Sequence, residues 1–310
     1  MTSISASTSD ERIDLAVPSK RWHWKKQLRH TTVLQSFAFD DSRKRLYVVQ
    51  VMQGGIRLPG ESRPYSGTER RQRGDMCLNR LDLSGNRLGH MYLLGHGHGV
   101  GMGVERDAAG ATWIWTEADG RVAESGAFGR GIARFRFVDR QVRRSSAKST
   151  RYPVPGSTAN QPSVDMSRKR VAVRHRIDGT VRYRVFSLAH AVSGNFSKPL
   201  HDFAQPAAHP GPDIDFQGFA LHGNYLYQLA GEPYGPGNPP AGHGNAYVSC
   251  VDIRTGGLVQ RTRTEAGYSL DHREPEGLAV RRTGKPRLCM GFASGQPGAR
   301  RYSIYYKQHA

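Results

Sequence analysis

The chain has 310 residues, 37% of them hydrophobic, and its 36 glycines and 17 prolines point to many turns rather than long helices. Lys and Arg number 45 against 26 Asp and Glu, a formal charge of +19 that comes mostly from Arg. Such a field favours polyanions: nucleic acid, teichoic acid, acidic polysaccharide or a membrane surface. No run approaches the roughly 18 apolar residues of a membrane-spanning helix, which excludes that class of protein.

Residues 1–20, MTSISASTSDERIDLAVPSK, are polar, lack the apolar core of a secretory signal, and read as a loose arm. By sequence the protein is therefore cytoplasmic, or it begins after a removed leader. From Gln35 a unit recurs: a polar residue, a small residue, an alternating apolar run, and a second strand about ten residues on. Its copies are QSFAFDDSRKRLYVVQ from Gln35, HGVGMGVERDAAGATWIWTE from His98, QPSVDMSRKRVAVRHR from Gln161, QGFALHGNYLYQLAGE from Gln217 and EGLAVRRTGKPRLCMGF from Glu276. They start 56 to 63 residues apart.

Each unit supplies two further strands, as in GDMCLNRLDLSG and NRLGHMYLLG of the first. Four antiparallel strands make a propeller blade, so the fold expected is an all-β, five-bladed β-propeller of four-stranded blades. The fifth unit stops one strand short, after ARRYSIYYKQ. Residues 21–33, RWHWKKQLRHTTV, have no place in the repeat and are expected to complete that blade beside Tyr302–Lys307. Pairing there would remove an open sheet edge and make 21–310 one domain. Cys77, Cys250 and Cys289 lie in apolar strand-like runs with no CxxC pair and read as small buried hydrophobes. The protein is expected to act as a monomer.

A propeller gathers the starts of its innermost strands, with the loops around them, on one face. The starts form a ring of Gln35, His98, Gln161, Gln217 and Glu276, which either hydrogen-bond among themselves and to water or bind a ligand. The loops that lead into the inner strands add His30, His96, Asp213, Asp215, Asp271, His272, Arg273 and Glu274. Loops between second and third strands add Arg57, Arg63 and Tyr65, then Glu117 and Asp119, then Glu232, Tyr234 and His243. His and carboxylates at the centre with Arg at the rim suit an anionic chain, since Arg binds phosphate or carboxylate bidentately.

His98, Glu276 and Glu232 are the catalytic candidates: two carboxyls for glycoside hydrolysis, or His98 with Tyr65 or Tyr234 for a lyase. His96-x-His98 would put two imidazoles on one side of an extended strand, a spacing that suits Zn²⁺. Asp213, Asp215, Asp271 and Glu276 could instead hold Ca²⁺, so one divalent ion near the channel is a possible cofactor. The glycines of GHGHGVGMGVE never satisfy GxGxxG, and GxxxxGK[ST] and GxSxG are absent.

The stretches QSFAFDDSRKRLYVVQ, GDMCLNRLDLSGNRLGHMYLLGHGHGVGMGVE and GRGIARFRFV resemble the actinobacterial proteins labelled teichoic acid biosynthesis protein C. That family shares its five-bladed propeller domain with receptor-binding proteins of staphylococcal phages. The resemblance runs from about residue 30 to the C-terminus. It implies the same fold, contact with an anionic envelope polymer and an extracellular or cell-envelope location, and it carries over no catalytic residue. The functional expectation is recognition, with or without cleavage, of a teichoic acid-like or acidic glycan chain. The alternatives are a phosphodiesterase or nuclease, a lyase or glycosidase, and a non-catalytic nucleic-acid-binding scaffold.

Overall fold

The computed structural model describes residues 12–123, 126–207 and 214–308, which form five sheets arranged as the blades of a propeller. The innermost strands are Leu34–Asp40, Met102–Arg106, Thr158–Asp165, Phe216–His222 and Glu274–Arg281, one for each repeat and in chain order. The blades are numbered I to V accordingly, and the face on which these strands begin is the upper face. Alternation of small and apolar residues lets an inner strand bury both sides between its neighbours, and all seven residues of LQSFAFD are buried. Outer strands have solvent on one side, and GLVQRTR of blade IV is mostly exposed.

Between the blades lie five apolar seams. Val49, Leu78 and Met102 join I to II, and Trp115, Val173 and Phe186 join II to III. Tyr183, Phe219 and Leu226 join III to IV, Leu229, Val248 and Phe292 join IV to V, and Leu34, Phe37 and Tyr302 close V onto I. The three cysteines are buried free thiols in this apolar packing, and burial pushes Cys250 and Cys289 up to about 12.

Closure by an N-terminal strand is as the sequence predicts, though the strand takes only the first part of 21–33 and begins at Lys20. Lys20–Lys26 pairs antiparallel with Arg301–Gln308 as the outer strand of blade V, Lys20 opposite Tyr306 and Lys26 opposite Tyr302. The loose arm needs correction from residue 12 onward. Ile13 and Leu15 are buried in the IV–V seam, the Ile13 amide donates to Tyr227 Oη (2.7 Å), and the Leu15 amide donates to Gln260 Oε1 (3.0 Å). A five-residue run, IDLAV, is too short a pattern to read as an anchor; residues 1–11 lie outside the described residues. Blade I also gains a fifth strand, Val142–Arg144, laid parallel on Arg87–Leu94.

The centre of the ring is almost filled, mostly by apolar side chains with Ser163 and Arg282 among them, so the expected channel is closed. Phe37, Phe39, Val104, Val164, Leu278 and Val280 leave a void of about 20 Å³, room for a single water at most. Gly103 is what permits this approach: a Cβ there would run into Val164 Cγ2 and lie 2.9 Å from the Val164 amide nitrogen. Arg282 seals the lower mouth, pairing with Asp165 (3.1 Å) and donating to the Leu221 carbonyl (2.8 Å). Ligands therefore meet this protein on its faces.

Candidate functional site on the upper face

The glycine-rich stretch at 95–103 does not run as a strand until Met102. Before that it folds around the Glu117 carboxylate, which accepts from the amides of His98 (3.3 Å), Gly99 (3.1 Å) and Gly129 (2.9 Å). Gly97 and Gly99 adopt φ of 142° and 93°, and a Cβ on Gly97 would strike the Glu117 side chain. Burial nevertheless outweighs the three amides and holds the Glu117 carboxyl at about 7.

This fold sends the two histidines apart. His96 is fully buried beside Phe135, its Nδ1 2.9 Å from the Glu117 carbonyl, so Nδ1 carries the proton and burial pushes the ring down to about 3. His98 stacks on Phe128 at 5.1 Å and 7°, and burial with the nearby Arg71 lowers it to about 4 against the pull of Glu274. Both rings are neutral at pH 7. A metal shared at that spacing requires an extended strand, which the chain does not form here.

The remaining metal candidates do not converge either. Asp271 pairs with Lys25 (3.0 Å), Asp213 lies outside the described residues, and among the described residues no three His, Cys, Asp or Glu side chains form a metal-holding group. The expected Zn²⁺ or Ca²⁺ site is thus not assembled from His96, His98, Asp215, Asp271 and Glu276.

The glutamines of the ring are engaged within the protein. Gln35 Nε2 donates to Glu276 Oε1 (3.0 Å), Gln161 Oε1 accepts from Arg174 (3.0 Å), and Gln217 Nε2 donates to the Gly231 carbonyl (2.9 Å). Arg273 is likewise a rivet, not a ligand contact: it is wholly buried and donates to the carbonyls of Ala266 (3.0 Å) and Thr264 (2.7 Å). Tyr234 donates to the Tyr268 carbonyl (2.9 Å) beside His243, whose ring lies tilted against Tyr268 with centroids 4.7 Å apart. His30 is buried and lowered to about 4 by that burial.

What the mouth does gather is a set of carboxyls on the blade IV–V side. Burial, then Glu274 and Asp215, hold the sealed Glu276 carboxyl well above the usual range. Asp215, more open, is raised by burial and by Glu232 and Glu274. Glu274 meets His272 Nε2 at 3.0 Å, and Glu232 accepts from Asn245 Nδ2 (3.0 Å). Acceptor-rich and short of cations, this corner suits hydroxyl or ammonium groups and repels phosphate.

Arginine lies at the rim, as expected, but most of it is spoken for. Arg63 pairs with Glu69 and covers one side of Tyr65, with Arg70 and Arg73 also within 5 Å of that ring. Arg57 donates to the Glu61 carbonyl (3.0 Å), and Asp119 pairs with Arg130 (2.7 Å). The sequence reading missed the helix Gly67–Arg73 that organises this rim. Ser66-x-x-Glu69 was its signature: Glu69 accepts from the Ser66 amide (2.7 Å), and Gly74 closes the helix in the left-handed region.

Residues 33–306 match the family described as the phage 5-bladed beta propeller receptor binding platform domain. The chain belongs to that family. It is 26% identical over 293 residues to a Bacillus subtilis (strain 168) protein that carries the provisional name major teichoic acid biosynthesis protein C, covering 88% of this chain and 59% of that one. It therefore spans well under two thirds of that relative's length. The tail fiber of Staphylococcus aureus phage P68 superposes with a TM-score of 0.67 at 18% identity, over 94% of this chain and 53% of the fiber, a likeness of fold. All five innermost strands fall within the family match.

Proposed function

We propose that this propeller recognises an anionic cell-wall polymer of alternating polyol and phosphate. The observation that carries the reading is the match of residues 33–306 to a receptor-binding propeller family. The teichoic acid connection of the Bacillus relative and the charge of +19 support the same polymer class. The carboxyl corner at the upper mouth would accept hydroxyls of the repeat unit, and the arginine-rich surface would take its phosphates. On this reading the protein works where wall polymer is exposed.

Recognition is favoured over cleavage by the condition of the catalytic candidates. Glu276 is sealed against Gln35 and His98 is stacked and neutral, so neither is poised over an open cleft. The test is incubation with wall teichoic acid, an acidic glycan and DNA, with and without EDTA, read by calorimetry and by product size. Saturable binding of teichoic acid without shortening is expected. Preference for DNA at equal charge, or products that vanish in Glu276→Gln or His98→Ala, would overturn it.

A further inference from the structure

On the lower part of the I–II seam four arginines line one cleft of about 530 Å³. Arg43 and Arg45 come from the turn DSRKR after the inner strand of blade I, Arg80 from its third strand, and Arg136 from the end of the third strand of blade II. Tyr47, directly opposite Arg80 in the sheet, and Thr112 complete the lining.

These four guanidiniums lie against neutral groups, Arg136 at 5.8 Å over the Trp113 ring. Arg43 donates to the Gly110 carbonyl (2.9 Å), Arg45 to the Lys44 carbonyl (3.2 Å), and Arg80 lies 4.6 Å over the Phe137 ring. Among the described residues none of the four has a carboxylate oxygen within 4.0 Å, whereas Arg63, Arg70 and Arg130 of the upper rim are all ion-paired. The acids close by bond to neutral donors and not to these guanidiniums. Asp40 accepts from Thr112 Oγ1 and the Arg43 amide, Asp82 from Ser84 and Asn86, and Asp107 from Trp113 Nε1 and the Ala111 amide.

Like charges gathered without a counterion repel one another, and an anion relieves that repulsion. Guanidinium forks match phosphate bidentately. Leu88 also lines a second opening of about 600 Å³ that holds Arg29, Arg87 and His90, together with Arg140 paired to Asp139 (3.8 Å). A basic track of that extent exceeds one phosphate and fits successive phosphates of a chain. We propose that the cleft of Arg43, Arg45, Arg80 and Arg136 is a phosphate subsite for a phosphodiester polymer, on the opposite side of blade I from the upper mouth. The identity of the polymer rests on the reading above; the phosphate chemistry of the cleft does not.

The test uses the full chain and two probes, inorganic pyrophosphate and poly(glycerol phosphate), titrated calorimetrically over a range of salt. The variant is Arg43→Gln/Arg136→Gln, both exposed, and the charge-matched control is Arg176→Gln/Lys198→Gln on blade III. Thermal melts confirm that each is folded. Affinity for both probes should fall about tenfold in the cleft variant, and the slope of log K against log salt should become shallower by about 0.7–0.9 for each phosphate the protein no longer neutralises. The control should change less than about twofold. Polymer bound equally by both variants overturns the cleft and leaves the polymer reading standing. Pyrophosphate lost only in the cleft variant, with no polymer bound by any protein, keeps the cleft and removes the polymer reading. Failure of pyrophosphate to bind the wild type overturns the cleft.

Discussion

Glu117 explains the glycines around it better than any ligand does. Its carboxyl is raised to about 7, so between about 4.5 and 7 the folded protein holds a proton that the unfolded chain releases. Stability from this group is fully present at the acid end of that window and declines as pH rises through it; Glu276 acts in the same direction. The stability of wild type relative to Glu117→Gln should thus fall by up to about 3 kcal/mol between pH 4.5 and 7.5. Urea unfolding across that range checks it, and a constant difference would refute the raised carboxyl. Arg70 is the opposite case, a charge kept by its partners. It is wholly buried between Glu61 and Asp75, so Arg70→Ala should cost about 3–5 kcal/mol in the same assay by stranding two buried carboxylates. A loss below about 1 kcal/mol would show the network to be dispensable.

At the scale of strands, the ring is held by what its ends contribute. Leu15 fills the IV–V seam from outside the repeat, and Leu15→Ala should cost about 2–5 kcal/mol, read from the shift in urea midpoint. Removing residues 1–26 deletes both that anchor and the outer strand of blade V; the melt should lose its single cooperative step, and an unchanged melt would contradict closure through Lys20–Lys26. These elements also mark how far sequence reaches. Inner strands were legible because each repeats a polar start and a doubly buried apolar run at a nearly fixed interval. The parallel strand Val142–Arg144 is too short to carry a period of its own. The His96–His98 pairing failed for a related reason: side-chain direction was inferred from strand geometry, and the backbone turns at Gly97 and Gly99 instead.

For the whole molecule, excess positive charge was legible from composition, but not its distribution. Which arginines are neutralised depends on folded neighbours, such as Glu69 beside Arg63, and the cleft unites Arg43 with Arg136 from different blades. The upper mouth, expected to set His and carboxylates inside an arginine rim, does gather carboxyls, but its rim arginines are largely ion-paired, while arginines without a carboxylate partner face the lower side. A polymer of alternating hydroxyl-rich units and phosphates matches both surfaces; a uniformly charged rod matches only one. The most direct test is calorimetric titration of purified wall teichoic acid into the wild-type protein at several salt concentrations, beside a neutral glycan of equal length. Saturable binding whose log K falls linearly with log salt, with no response to the neutral glycan, is the predicted result. Equal, salt-independent binding of the two polymers, or none of either at low salt, would contradict it.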